Sequence, residues 1–170
     1  MRNLLLTLAL LLAGSGVAFA DGIPQVVNSQ SGDGREVWTM VVFNDSGGTI
    51  QSGEIVVWDT ADPDVSDLGR RYVTISETDS DASTAGVIIQ TCPNQSQCDM
   101  AILGITKVRC MDAGDAVTAG DLVSNSSIDG GKCGDHTAAA DNRAIGTALE
   151  SGGGTDYEYI DVFLYPADGQ

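Results

Sequence analysis

Basic residues are scarce in this chain: eight Lys and Arg stand against 24 Asp and Glu, a formal net charge of −16. So acidic a surface repels the phosphate backbone, and no basic patch is present, which excludes DNA and RNA binding. Histidine occurs once, as His136 in "CGDHTAA". Its neighbour Asp135 stands in the wrong relation to orient an imidazole by itself, and no G-x-S-x-G elbow exists beyond the first twenty residues, so Ser–His–acid catalysis is set aside. Aromatics make up 5% of the residues, too few to stack a sugar beside a carboxylate pair drawn from Glu36, Glu54, Glu77, Glu150 and Glu158. There is no C-x2-C pair for zinc, and "ESGGGTDY" (150–157) has a P-loop's glycines without its Lys or following helix. Outside the first twenty residues no window keeps the i, i+3, i+4, i+7 spacing of an amphipathic helix.

What the chain does have begins with its one long apolar run. Arg2 precedes "LLLTLALLLAGSGVAFA", and Ala18-Phe19-Ala20 fits an A-x-A cleavage site. We read residues 1–20 as a cleaved signal peptide, the alternative being an uncleaved anchor for which the run is short. No Cys sits at the cleavage site, so a lipoprotein is not expected. The remaining Asp21–Gln170 carries 24 acidic and seven basic residues, net −17, and is expected to be secreted, extracellular or on the cell surface, with the periplasm as the other compartment and no membrane segment after cleavage.

Four cysteines in an exported chain read as two disulfides, for which three pairings exist. The local pairing, Cys92–Cys98 and Cys110–Cys133, is expected. "CPNQSQC" is a short polar loop, and Cys110 and Cys133 flank the turn-rich stretch 113–133, where a bridge is worth about 3 kcal/mol in loop entropy.

Residues 21–35, "DGIPQVVNSQSGDGR", read as a flexible leader. The rest reads as a single all-β domain, 36–170. "EVWTMVVFN" (36–44), "EIVVWD" (54–59), "RYVTIS" (71–76), "GVIIQTC" (86–92), "MAILGITKVRCM" (100–111, bent at Gly104), "DLVSNS" (121–126), "AIGTALE" (144–150) and "YEYIDVFLY" (157–165) are its strands, with Gly/Asp/Ser turns between them. Eight to nine short strands of this kind predict a compact sandwich or barrel.

A repeat lies in this layout. "TIQSGEIVV" (49–57) aligns with "AVTAGDLVS" (116–124), and "AGVIIQ" (85–90) with "IGTALE" (145–150); the glycines recur at offsets of 67 (Gly53 to Gly120) and 60 (Gly86 to Gly146). Glycine permits φ > 0 at a tight turn, and the acid after it can accept from turn N–H groups. Two related β-units are expected; a chance likeness of two turns is the alternative.

The stretch "KVRCMDAGDAVTAGDLVSNSS…GGKC…NRAIGTALESGGGTDYEYIDVFLYP" (107–166) resembles a β-rich domain of phage decoration and tail-fibre-like proteins that also occurs at the C-terminal ends of exported bacterial surface proteins. The matching residues are Val117, Gly120, Asp121, Leu122, Val123, Gly131, Lys132, Ile145, Gly146, Ala148, Leu149, Glu150, Ile160, Val162 and Leu164. Residues 36–92 match more loosely. The resemblance implies a compact β-fold, frequent trimers, and a role covering or extending a larger assembly. A signal peptide and two disulfides depart from the phage pattern and favour an exported surface or filament component.

The ligand candidates are oxygen-rich loops. Asp59, Asp62, Asp64 and Asp67 lie within nine residues, and Glu77, Asp79 and Asp81 follow, without EF-hand spacing. Trp38 and Trp58 are the candidates for a small carbohydrate platform, against the commoner role of strand Trp in a core or interface. The sequons at Asn44, Asn94 and Asn125 matter only in a glycosylating host. The expectation is a non-enzymatic structural protein without cofactor that self-assembles as a trimer or polymer, or decorates a surface or virion structure. The leader could add a strand to a neighbour's sheet. The alternative is a monomeric secreted module binding carbohydrate or Ca²⁺.

Overall fold

The computed structural model describes residues 27–30, 36–59, 71–76, 84–111, 114, 116–126, 128–136, 144–152 and 157–165. Ten strands and no helix occur among them: β1 (Val27–Gln30), β2 (Glu36–Asn44), β3 (Ile55–Trp58), β4 (Tyr72–Ile75), β5 (Thr84–Ile88), β6 (Gln97–Cys110), β7 (Leu122–Asn125), β8 (Cys133–Asp135), β9 (Gly146–Ala148) and β10 (Glu158–Leu164). Eight match the expected strands, and the other two raise the expected eight to nine to ten. β8, "CGD", has none of the β-branched or aromatic residues that mark a strand. β1 lies inside the segment expected to be a flexible leader and pairs antiparallel with β2, from Val27 opposite Thr39 to Gln30 opposite Glu36.

The pairings close two rings. In the first, β2 lies parallel to β4 at Asn44–Val73, β4 pairs with β3, β3 with β5, β5 with β6, and β6 returns antiparallel to β2. In the second, β6 pairs with β10, β10 with β9, β9 with β7, β7 with β8, and β8 meets β6 in parallel at Cys133–Cys110. Each ring is a five-stranded barrel, and β6 belongs to both. Its first half is the last strand of barrel one, and its second half is the first strand of barrel two. The 14-residue strand bends where the roles change: Gly104 has φ +100, and the β2–β6 register slips beside it, between Trp38 and Thr39. A Cβ at Gly104 would stand 2.1 Å from the Glu36 carbonyl oxygen, so only glycine lets the two strands approach.

The barrels are copies of one pattern. Ile55 opposite Val87 answers to Leu122 opposite Thr147, and Val56 opposite Gly86 to Val123 opposite Gly146, at the offsets of 67 and 60 read from the repeat. Met40 opposite Met100 answers to Thr106 opposite Val162, offsets of 66 and 62. The turn hydrogen bonds repeat as well. Glu54 N–H donates to Gln51 O, Gly53 N–H to Ile88 O and Ile88 N–H to Glu54 O; Asp121 N–H donates to Thr118 O, Gly120 N–H to Ala148 O and Ala148 N–H to Asp121 O. The acid closes each turn, Glu54 accepting from Gln51 N–H at 2.7 Å and Asp121 from Thr118 N–H at 2.8 Å. A chance likeness of two turns does not produce a shared ladder across five strands.

Alternation fills each interior. Met40, Val42, Ile50, Val56, Val73, Ile88 and Met100 pack inside barrel one; Val108, Val117, Val123, Ile145, Ala148, Ile160, Val162 and Leu164 pack inside barrel two. Burying one such aliphatic side chain contributes about 1.5–3 kcal/mol, and small Val-rich strands supply this with few aromatics. Both expected disulfides are formed, Cys92–Cys98 and Cys110–Cys133. Cys110–Cys133 pins the parallel closure of barrel two. In barrel one the same positions are Asn44 and Val73, and no bridge joins them; the wholly buried Asn44 amide instead ties the 45–48 turn and Cys92 to β2, donating to Gly48 O and Cys92 O and accepting from Ser46 N–H.

Candidate functional site

Barrel one docks on barrel two through the turn that the repeat supplies. Gly53 O accepts from Arg109 N–H at 2.8 Å, and Ile55 N–H donates to Gly131 O at 2.7 Å. The Glu54 carboxylate takes the Arg109 guanidinium at 2.6 Å, with both side chains about nine-tenths buried. The guanidinium lies 3.8 Å from the centre of the Tyr157 ring, a cation–π contact, and Tyr157 meets Tyr159 edge-on. Tyr159 packs over Gly53 so closely that a Cβ there would lie 2.8 Å from its ring.

Across barrel one runs a row of directly paired residues, Ile55, Val87, Ala101 and Thr39, all buried. Ile55, Val87 and Ala101 belong to the same apolar cluster as the interior of barrel two.

The corresponding row on barrel two is Leu122, Thr147, Phe163 and Ile105. It is open: Leu122 is 45% and Phe163 43% exposed, and Leu149, two residues beyond Thr147, is 47% exposed. Beyond the bend Leu103 and Trp38 pair across the β6–β2 seam, with Trp38 also exposed. At one border Lys107 bridges to Glu150 at 2.6 Å and Asp161 at 3.2 Å. The Glu150 hydrogen bond, more than any other contact, holds the Lys107 ammonium above its ordinary pKa. At the other border Asp121 accepts from the Thr118 hydroxyl and N–H, which lowers its carboxyl below the ordinary value. This aromatic and aliphatic row, framed by charge on an acidic molecule, is the candidate site. Exposed apolar side chains gathered in this way are a feature of interaction surfaces.

The sequence-derived candidates fall elsewhere. Asp59 follows β3, and its N–H donates to Tyr72 O; Asp62, Asp64, Asp67, Glu77, Asp79 and Asp81 lie outside the described residues. No group of three or more His, Cys, Asp or Glu placed to hold a metal occurs among the described residues. The two tryptophans part: Trp58 packs against the core of barrel one, and Trp38 lies on the exposed strand face. His136 N–H donates to Leu122 O, which places it at the end of the β7–β8 hairpin. Sequence reasoning missed the row because Leu122, Phe163 and Ile105 stand inside apolar strand runs in which both faces read as core. The signal that finds them is the repeat, since the aligned positions in barrel one are buried.

No protein-family profile matches the chain, and no curated protein matches it. Among solved structures it is similar to the head fiber gp8.5 N base of bacteriophage phi29, at 11% identity over 75% of this chain and 93% of that one, with a TM-score of 0.46. That loose likeness assigns no role to this chain.

Proposed function

We propose that this chain is an exported, non-enzymatic structural protein that self-associates or decorates a larger surface or virion assembly. The observation that supports the reading is the open row of Leu122, Phe163 and Leu149 on an otherwise strongly acidic protein. Exposed apolar side chains gathered in one place on a soluble β-scaffold mark an interaction surface. Two disulfides and closed barrels fit a rigid building block in an oxidising exterior.

Light scattering on the oxidised mature protein, with and without calcium, tests self-association. A trimer or polymer in both buffers supports it. A strict monomer in both leaves decoration of another assembly as the surviving form of the reading, and assembly only with calcium moves the acidic loops to the front. Export is tested by the N-terminus of the protein recovered outside the cytoplasm, which should be Asp21.

A further inference from the structure

The chain holds the same row twice, once covered and once open. In barrel one Ile55 and Ala101 are fully buried in the cluster they share with barrel two, and the turn before them is clasped by Arg109, Gly131 and Tyr159. In barrel two the equivalents Leu122 and Phe163 are exposed, and a Cβ on Gly120 would meet no atom within 4 Å where one on Gly53 meets Tyr159. The turn keeps its internal hydrogen bonds in both barrels, so the open copy is formed and ready rather than unfolded.

We propose that the Gly120–Leu122 turn and the row behind it dock head-to-tail onto barrel one of a second copy of this chain. The inference rests on the assembly reading above and names its partner and geometry. A second copy is the partner that continues the contact already made inside the chain. One barrel of this pattern covers that row in its sister, and barrel one is a barrel of this pattern. The receiving positions follow from the register: Phe43, Arg71 and Gln97 of the second copy stand where Arg109, Gly131 and Tyr159 stand in barrel two.

The charges suit the contact, because Asp121 is part-exposed at the tip of the turn and Arg71 is exposed at the receiving end. One difference shapes the contact. Phe43 N–H already donates to Arg71 O at 2.8 Å, so side chains carry the docking in place of the two backbone bonds found inside the chain. The surfaces that meet are different, so the contact is heterologous and propagates into a filament or closes as a ring. Copies of the Asp21–Gln170 chain, net charge −17, repel, so the contact strengthens as salt screens them.

The test pairs a surface variant with a cross-link. Leu122→Ser/Phe163→Ser alters two exposed residues, and Ile128→Ser, also exposed but beyond the far end of β7 from Leu122, is the control. Light scattering across concentration at low and high salt should show wild type and Ile128→Ser assembling, more readily at high salt. The double variant should need at least about tenfold more protein to do so, with unchanged circular dichroism. Separately prepared Leu122→Cys and Arg71→Cys proteins, once mixed, should form a 122–71 disulfide between copies.

Assembly indifferent to Leu122→Ser/Phe163→Ser, or cross-linking that avoids the 122–71 pair, overturns the head-to-tail contact and leaves self-association through another face. A wild type monomeric at every concentration and salt also overturns it. Retention of that monomer on an isolated surface structure would then keep the decoration reading alone.

Discussion

Gly53 and Gly120 occupy the same turn in two sister barrels, with φ of +82 and +97, yet one is roofed by Tyr159 and the other meets open space. Both backbones need the left-handed region, so alanine costs each about 1–2 kcal/mol. Gly53→Ala must also displace the Tyr159 ring and crowd the Arg109 backbone nitrogen, 3.2 Å away, adding about 1–3 kcal/mol. Urea unfolding of the two variants should therefore rank Gly53→Ala well below Gly120→Ala. Equal losses would mean that Tyr159 does not pack on the turn.

The Glu54–Arg109 pair is the ionic part of the contact between barrels. Glu54→Ala leaves Arg109 buried without its carboxylate and should cost about 3–5 kcal/mol. The double variant Glu54→Gln/Arg109→Met removes the stranded charge and should recover much of that loss. A double-mutant cycle without coupling would show that the two groups act independently.

Matching positions of the two barrels, Cys110 and Asn44, carry different chemistry. Removing the Cys110–Cys133 bridge as the Ala pair should cost about 3 kcal/mol, from a loop of sequence separation 23. Asn44→Ala leaves the Ser46 N–H without its acceptor and takes one of two donors from the Gly48 and Cys92 carbonyls, which keep Ser46 Oγ and Ile50 N–H, and should cost about 1–3 kcal/mol. Asn44→Ala melting like wild type would show that the 45–48 turn holds itself.

The Asp121 carboxyl should titrate below its ordinary 3.8, chiefly because the Thr118 hydroxyl bonds its ionised form. A depressed folded value stabilises the protein above the unfolded value, and that stabilisation is lost as pH falls through the folded one. Carboxyl resonances followed by NMR should show Asp121 moving part of the way back to 3.8 in Thr118→Val, which keeps the backbone donor. An unmoved titration would assign the shift to the Thr118 N–H instead.

Strands of Val, Ile and aromatic residues announce themselves, and "EVWTMVVFN" matches β2 residue for residue. The closures were harder to read. β8 is a Cys-Gly-Asp triplet whose place is set by pairing with β7 on one side and β6 on the other, which no local pattern encodes. β1 is polar, "VNSQ", and becomes a strand because β2 offers an unpaired edge. The cysteine pairing was legible because both bridges are local. The candidate site was legible only in part. The repeat shows which residues correspond, but only the packing shows that Ile55 is covered and Leu122 is not.

Because β6 ends one barrel and begins the next, the order of synthesis is built into the architecture. As the chain emerges, barrel one closes only when β6 arrives, and the strand that closes it is already the template for barrel two. The second fold is therefore seeded in place by the first, so a lesion in β6 is expected to cost both, while one in β10 leaves a closed barrel behind.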